Sequence, residues 1–264
     1  MSSAAPPCPA PHGLLADRSV VVTAAAGSGI GGATARRVLE EGAAGVVIGD
    51  VHERRLAETE RKLAEEFGPR RVRAVRCDVT DEGEVGALLA ACTARHGRID
   101  VLVNNAGLGG TAELVEMTDE QWSRVLDTTL NGTFRCTRAG LRAMRDQPGD
   151  GGVIVNNASV AGWRAQRGQA HYAAAKAGVM ALTRCAALEA ARFGVRVNAV
   201  SPSLAMHPNL VKVTTPQLLE ELTAREAFGR YAEPWEVANV IVFLASDYSS
   251  YMTGETVAVS SQHP

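Results

Sequence analysis

Short apolar runs alternate with longer amphipathic stretches along almost the whole chain. The runs lie at 19–23, 45–48, 72–76, 101–103, 153–155, 195–200 and 256–259. Several lack the polar–apolar alternation of a half-exposed strand, so they predict strands covered on both faces. Between them, 33–41, 54–67, 82–96 and 173–192 read as helices. Glu41-Gly42 and Phe67-Gly68-Pro69 supply stop signals for two of these. This order predicts an α/β fold, a doubly wound parallel sheet of about seven strands with helices on both faces. The stretch 203–230 is too long for a simple connection and carries its own helical segment at 217–227, which predicts a substrate loop. Residues 1–16, rich in Pro and Ala, predict a flexible tail, leaving 17–264 as a single domain.

Composition narrows the function classes. A length of 264 residues suits one α/β domain, and 46% apolar with 21% charged residues is the balance of a globular protein with a proper core. A net charge of −2 lacks the basic bias of a nucleic-acid binder. No apolar run reaches the roughly 18–20 residues that span a bilayer. The first residues lack the cationic start and apolar core of a secretory signal. Five cysteines (Cys8, Cys77, Cys92, Cys136 and Cys185) are odd in number and show no C-x-x-C spacing. They read as reduced thiols of a cytoplasmic protein, with neither a disulfide framework nor a metal site.

The first run leads into Thr23-Ala24-Ala25-Ala26-Gly27-Ser28-Gly29-Ile30-Gly31, after which a helix begins. Glycines here let the backbone turn tightly and approach a pyrophosphate seated on the helix N-terminus. Asp50 ends the next run nineteen residues after Gly31, close to the spacing of about 20 that a dinucleotide fold requires. A carboxylate there accepts the adenosine ribose hydroxyls of NAD and repels the 2′-phosphate of NADP. Arg54 and Arg55 follow closely and leave NADP open. The third run ends at Cys77-Asp78-Val79 and the fourth at Val103-Asn104-Asn105-Ala106-Gly107. Both fall beyond the carboxyl ends of strands, where open parallel sheets bind ligands. Asp78 fits the adenine amino group, and the small Ala106-Gly107 lets a cofactor lie against the backbone. Asn104-Asn105 also reads simply as a polar turn. The pattern predicts a Rossmann-type sheet.

Tyr172 and Lys176 open a helix with i,i+4 spacing, which puts them on one face, and Ser159 lies thirteen residues upstream. Together with the glycine turn, Asp78, Asn104-Asn105-Ala106-Gly107 and Asn198-Ala-Val-Ser-Pro202, these residues resemble the classical short-chain dehydrogenase/reductase family over nearly the whole chain. The resemblance implies a Ser159–Tyr172–Lys176 catalytic set. It also implies cofactor contacts from Thr23, Ala25, Gly27, Ser28, Gly29, Ile30, Gly31, Asp50, Asp78, Val79, Asn105, Ala106, Gly107, Tyr172, Lys176, Pro202, Ser203 and Leu204. The chemistry needs those types. Hydride leaves a carbinol carbon only as the hydroxyl proton is removed, so a base must sit beside the substrate oxygen. A free tyrosine, with a pKa near 10, ionises too late for that. An adjacent ammonium lowers it, and a serine hydroxyl stabilises the developing charge on oxygen.

Four departures from the family pattern stand out. Ala24 replaces the first glycine and the loop is one residue longer, so Gly27 is expected to supply the tight turn. The family's fourth catalytic residue, an asparagine that bends a helix and holds a water linked to the lysine, falls on Thr129, while Asn131 points elsewhere. Pro202-Ser203 replaces Pro-Gly, and the threonine that usually helps hold the cofactor is replaced around His207. The chain ends Ser260-Ser261-Gln262-His263-Pro264 instead of continuing from Asp-Gly-Gly. The pattern resembles an actinobacterial branch of the family associated with steroid breakdown, in which a ring hydroxyl on a bicyclic carboxyl-CoA fragment is oxidised. With the NAD preference that Asp50 implies, the leading reading is an NAD-dependent dehydrogenase of a small-molecule substrate, a hydroxyacyl-CoA or an alicyclic alcohol, and the family resemblance implies a homotetramer or dimer. Arg164 and Arg167 then read either as contacts to CoA phosphates or as solvated arginines, and Trp163 as a packing residue. An NADPH-dependent 3-oxoacyl thioester reductase is the second enzyme reading. A catalytically inactive nucleotide-binding scaffold is the third, which the presence of Tyr172 and Lys176 opposes.

Overall fold

The computed structural model describes residues 4–149, 151–206 and 216–261. Seven parallel strands form one sheet in the order β3-β2-β1-β4-β5-β6-β7. They are β1 Ser19–Thr23, β2 Gly45–Asp50, β3 Val72–Arg76, β4 Val101–Asn104, β5 Gly152–Asn157, β6 Val195–Pro202 and β7 Thr256–Val259. The helices are α1 Ile30–Glu40, α2 Glu53–Phe67, α3 Glu82–His96, α4 Asp119–Leu126, α5 Gly132–Asp146, α6 Ala170–Ala190, α7 Pro216–Arg225 and α8 Pro234–Ala245. The five inner strands are buried on both sides, which explains their apolar runs, whereas the edge strands β3 and β7 are partly exposed. Val20 and Val22 point into the core beneath α1, α2 and α8, with Val38, Leu56 and Ile241. Val21, between them, faces the opposite core with Leu88, Met144 and Ala187 of α3, α5 and α6.

The elements extend past the apolar runs at functionally important ends. β2, β5 and β6 continue through Asp50, Asn157 and Pro202, where polar residues sit at the carboxyl edge. α1 starts at Ile30 rather than 33 and α6 at Ala170 rather than 173, so Tyr172 lies inside a first turn. α7 falls within the expected substrate loop. His207 lies outside the described residues.

The Pro/Ala-rich start, expected as a free tail, instead runs along α1. Arg37 donates to the carbonyls of Pro9 at 3.0 Å and Ala10 at 3.5 Å. The wholly buried Glu41 accepts the N–H groups of His12 at 2.9 Å and Leu14 at 3.0 Å, and pairs with Arg37 at 2.7 Å. Removed from water, that carboxylate requires the donors the segment supplies. Leu15 then enters the core, fully buried. Composition misleads here because the ordering contacts come from a helix some 27 to 29 residues away. Leu15→Ala is therefore expected to lower stability by about 2–5 kcal/mol. Urea unfolding of the purified variant would measure it, and an unchanged midpoint would show that the segment is not docked.

Candidate active site

The order of the sheet reverses at β1, which pairs with β2 on one side and β4 on the other. In open parallel sheets the ligand crevice lies beyond the carboxyl ends of the strands at such a switch point. Thr23 closes β1, and its hydroxyl accepts the N–H groups of Asn105 at 3.0 Å and Ala106 at 3.1 Å. Asn105 Nδ2 donates back to the carbonyls of Thr23 and Ala24 at 3.2 and 3.0 Å. Its Oδ1 accepts from Asn157 Nδ2 at 2.9 Å, so three strand ends are joined.

Ala24 adopts φ +50°, the left-handed turn that the family gives to glycine, and Gly27 makes a second one at φ +92°. Gly27 thus adds a turn and does not replace the one at position 24. Ala25 is buried, with its N–H on Gly49 O at 3.1 Å. At Gly31 a side chain is impossible, because its Cβ would stand 2.3 Å from Ala24 O. Ser28 is exposed, and Gly29 occupies the N-cap position of α1 with no side-chain cap. Asp50, 7% exposed, accepts the N–H of Ala26 at 3.1 Å and of His52 at 2.9 Å, one on each carboxylate oxygen. Asp78 accepts from both the N–H and the hydroxyl of Thr80, and chiefly the backbone bond holds its carboxyl below the usual range. Val79 packs under Gly132. Beyond β6, Ser203 N–H bonds Val259 O at 3.1 Å and Leu204 O accepts from Ala232 at 2.8 Å.

On the other side of the crevice, Ser159 caps a turn at Val160–Gly162, its Oγ accepting from Ala161 N at 3.2 Å. It also hydrogen-bonds Tyr172, which opposes the rise that burial imposes on the phenol's pKa. Lys176, one helical turn further, is 3% exposed and donates to Asn157 O at 2.5 Å. Its ammonium lies 5.7 Å from the Tyr172 ring centre, and burial pushes its pKa down to about 8.

A glycine strap crosses this face. A Cβ on Gly107 would lie 3.3 Å from Lys176 Nζ, on Gly109 3.9 Å from Tyr172 Cδ2, and on Gly110 3.2 Å from His171 Nε2. Thr129 holds the strap at Leu108, accepting its N–H at 2.9 Å and donating to its carbonyl at 3.1 Å. The bend implied by the family's asparagine is present as a π-turn, Asp127–Asn131, and Asn131 is at the surface. The Thr129 hydroxyl proton goes to the strap, and its oxygen keeps one further lone pair with which it can accept a hydrogen bond.

Sequence reasoning missed Asn157, His171 and Thr59. A repeated Asn-Asn pair at the ends of β4 and β5 was the available signal for Asn157. His171 is buried beside Tyr172. Thr59 marks no motif; its hydroxyl accepts the Gly27 N–H at 2.9 Å from α2. Arg167 is at the surface, paired with Glu113 at 2.7 Å. Trp163, expected to pack, keeps 44% of its surface exposed.

The crevice suits a dinucleotide. The uncapped start of α1 offers N–H groups to a pyrophosphate, and Gly27 has open space on its Cβ side. The strap at Gly107 is a cradle that a side chain would fill. A parallel doubly wound sheet whose switch point joins a glycine-rich loop to a Ser–Tyr–Lys cluster fits a dinucleotide-binding oxidoreductase, and the comparisons agree. Residues 24–261 match the family model described as enoyl-(acyl carrier protein) reductase. The chain belongs to the short-chain dehydrogenase/reductase family and is an oxidoreductase acting on CH–OH groups.

It is 64% identical, over 99% of both chains, to the (5R,7aS)-5-hydroxy-7a-methyl-1-oxo-2,3,5,6,7,7a-hexahydro-1H-indene-carboxyl-CoA reductase of Mycobacterium tuberculosis. It is 45% identical to the cis-4-hydroxycyclohexanecarboxylate dehydrogenase of Sinomonas cyclohexanicum, covering 93% of this chain and 96% of that one. A crystal structure of a short-chain dehydrogenase from Mycobacterium smegmatis superposes with a TM-score of 0.87 at 59% identity over 99% of each chain.

Lys176 carries a stability signature. Below about pH 8 it is charged in both folded and unfolded chains, and the folded state bears the full cost of burying it. Between pH 8 and 10.5 the folded chain releases the proton while the unfolded chain keeps it, so stability rises with pH in that window. Lys176→Met lacks this term. Relative to the variant, the cofactor-free wild type should gain on the order of 3 kcal/mol on going from pH 7 to 10.5. Parallel profiles of the two thermal midpoints would refute the buried charge.

Proposed function

We propose that this protein is a cytoplasmic, NAD-dependent enzyme that interconverts a ring alcohol and ketone on an alicyclic CoA thioester of steroid or lipid catabolism. The observation that carries the reading is the Ser159–Tyr172–Lys176 set opposite a nucleotide loop backed by Asp50. The dinucleotide, when bound, supplies or accepts the hydride. Thr23, Ala25, Gly27, Ser28, Gly29, Ile30, Gly31, Asp50, Asp78, Val79, Asn105, Ala106, Gly107, Pro202, Ser203 and Leu204 would hold it, together with Tyr172 and Lys176.

Tyr172 Oη takes the substrate hydroxyl proton in the oxidative direction and returns it in the reductive one. Bringing the phenol two to three units below its ordinary pKa needs roughly 3–4 kcal/mol of preferential phenolate stabilisation. The buried Lys176 ammonium, 5.7 Å from the ring centre, supplies part of this. Ser159 Oγ lies beside the phenol, so one substrate oxygen meets both hydroxyls and its developing charge is stabilised. Thr129 serves as a positioning residue, fixing the strap that abuts Lys176 and Tyr172. The CoA thioester rests on the 64% identical relative, whose name carries carboxyl-CoA, and the alicyclic ring on both named relatives. A homotetramer or dimer belongs to the same reading.

Tyr172→Phe should fold and bind NADH yet lose nearly all turnover, since only the acid–base oxygen is removed. Turnover within about tenfold of wild type would remove Tyr172 from the mechanism. Wild-type kcat/KM should favour NAD over NADP by about tenfold or more. A preference for NADPH with open-chain 3-oxoacyl thioesters would replace this reading. An alicyclic CoA thioester should also be turned over far better than its free acid, because remote contacts contribute to transition-state binding. Equal kcat/KM values for thioester and acid would rule out the CoA assignment.

A further inference from the structure

The nucleotide loop is one residue longer than the family's pattern, and two side chains hold the extra length. Asp50 Oδ2 accepts the Ala26 N–H at 3.1 Å, and Thr59 Oγ1 accepts the next one, from Gly27, at 2.9 Å. Thr59 lies in α2 and donates its own proton to Arg55 O at 2.8 Å. That bond turns a hydroxyl lone pair toward the loop. Gly27 itself is exposed, at φ +92°, and three residues later the uncapped α1 begins. Without side-chain anchors, an Ala-Ala-Gly-Ser-Gly segment would sample many conformations, and ordering it would oppose ligand binding.

We propose that Thr59 is a positioning residue for the nucleotide loop, setting both its affinity for NAD and its discrimination against NADP. The inference rests on the NAD reading above and names a residue that reading does not include. With Gly27 fastened to α2 and Ala26 to Asp50, the loop reaches its binding shape before the dinucleotide arrives. The same two contacts keep the loop and the Asp50 carboxylate together. A 2′-phosphate therefore meets a fixed negative charge that cannot swing away. Releasing the Thr59 contact lets loop and carboxylate separate, which weakens NAD and relaxes the exclusion of NADP.

Fluorescence titration of the full-length protein with NADH and NADPH tests this, using Thr59→Val, Thr59→Ser and wild type. Losing one hydrogen bond that orders the loop should weaken NADH binding by about tenfold in Thr59→Val. NADPH affinity should fall less, so the NADPH/NADH ratio of dissociation constants narrows. KM for NAD should rise with kcat unchanged, and Thr59→Ser, which keeps the hydroxyl, should restore both constants. If Thr59→Val fails to fold, Thr59→Ala carries the same comparison. A valine variant that binds NADH within about twofold of wild type would overturn the proposal. So would a serine variant as weak as the valine one. Absence of NADH binding by the wild type would instead overturn the cofactor reading, and this inference with it.

Discussion

The ammonium of Lys176 sits 3% exposed at the end of the sheet, on the last carbonyl of β5, and the rest of the site is arranged around keeping it there. Burying that charge costs the fold stability, as its lowered pKa records. The carbonyl that receives it belongs to Asn157, whose side chain donates to Asn105, whose amide in turn grips the carbonyls of Thr23 and Ala24. A continuous chain of hydrogen bonds thus runs from the Lys176 ammonium to the glycine-rich loop across β5, β4 and β1. Below it, Asn104 donates to Asn156 and Thr137, and Asn156 to Thr183, which tie the same strand ends to α5 and α6. Polar groups buried this deeply specify geometry because any shift leaves a donor or acceptor unmatched. The two halves of the site are therefore held in register by the sheet itself.

What the sequence makes legible follows from the range of the interactions involved. Tyr172 and Lys176 are one helical turn apart, so their shared face is a local fact. The glycine turn, Asp50 and Asp78 are readable because a parallel sheet puts every strand's carboxyl end on one edge. Contacts made across folded elements leave no such trace. Thr59 meets Gly27 over 32 residues, Thr129 meets Leu108 over 21, and Glu41 meets His12 over 29. Each involves an ordinary residue type whose role exists only once a helix is packed. The same limit explains position 24, where alanine does not announce a left-handed turn. Its φ of +50° carries the roughly 1–2 kcal/mol that a side chain costs in that region. The backbone course is imposed by neighbours, including the Gly31 contact and the Asn105 amide, and the local residue only tolerates it.

The two sides of the crevice differ in kind. The nucleotide side is built from strand ends and helix starts, with little freedom to vary. The side that carries Tyr172 is built from connections: the strap after β4 and the turn after β5. Rigid elements carrying variable loops let one reaction serve many substrates. Here the strap presents backbone, not side chains, to Tyr172 and His171 at Gly109 and Gly110. A wall without side chains lets the backbone lie close against Lys176 and His171, and Thr129 fastens that backbone at Leu108. Three glycines and one threonine thus let the strap's backbone close over Lys176, Tyr172 and His171 without displacing them, beside strand ends that the sheet has already fixed.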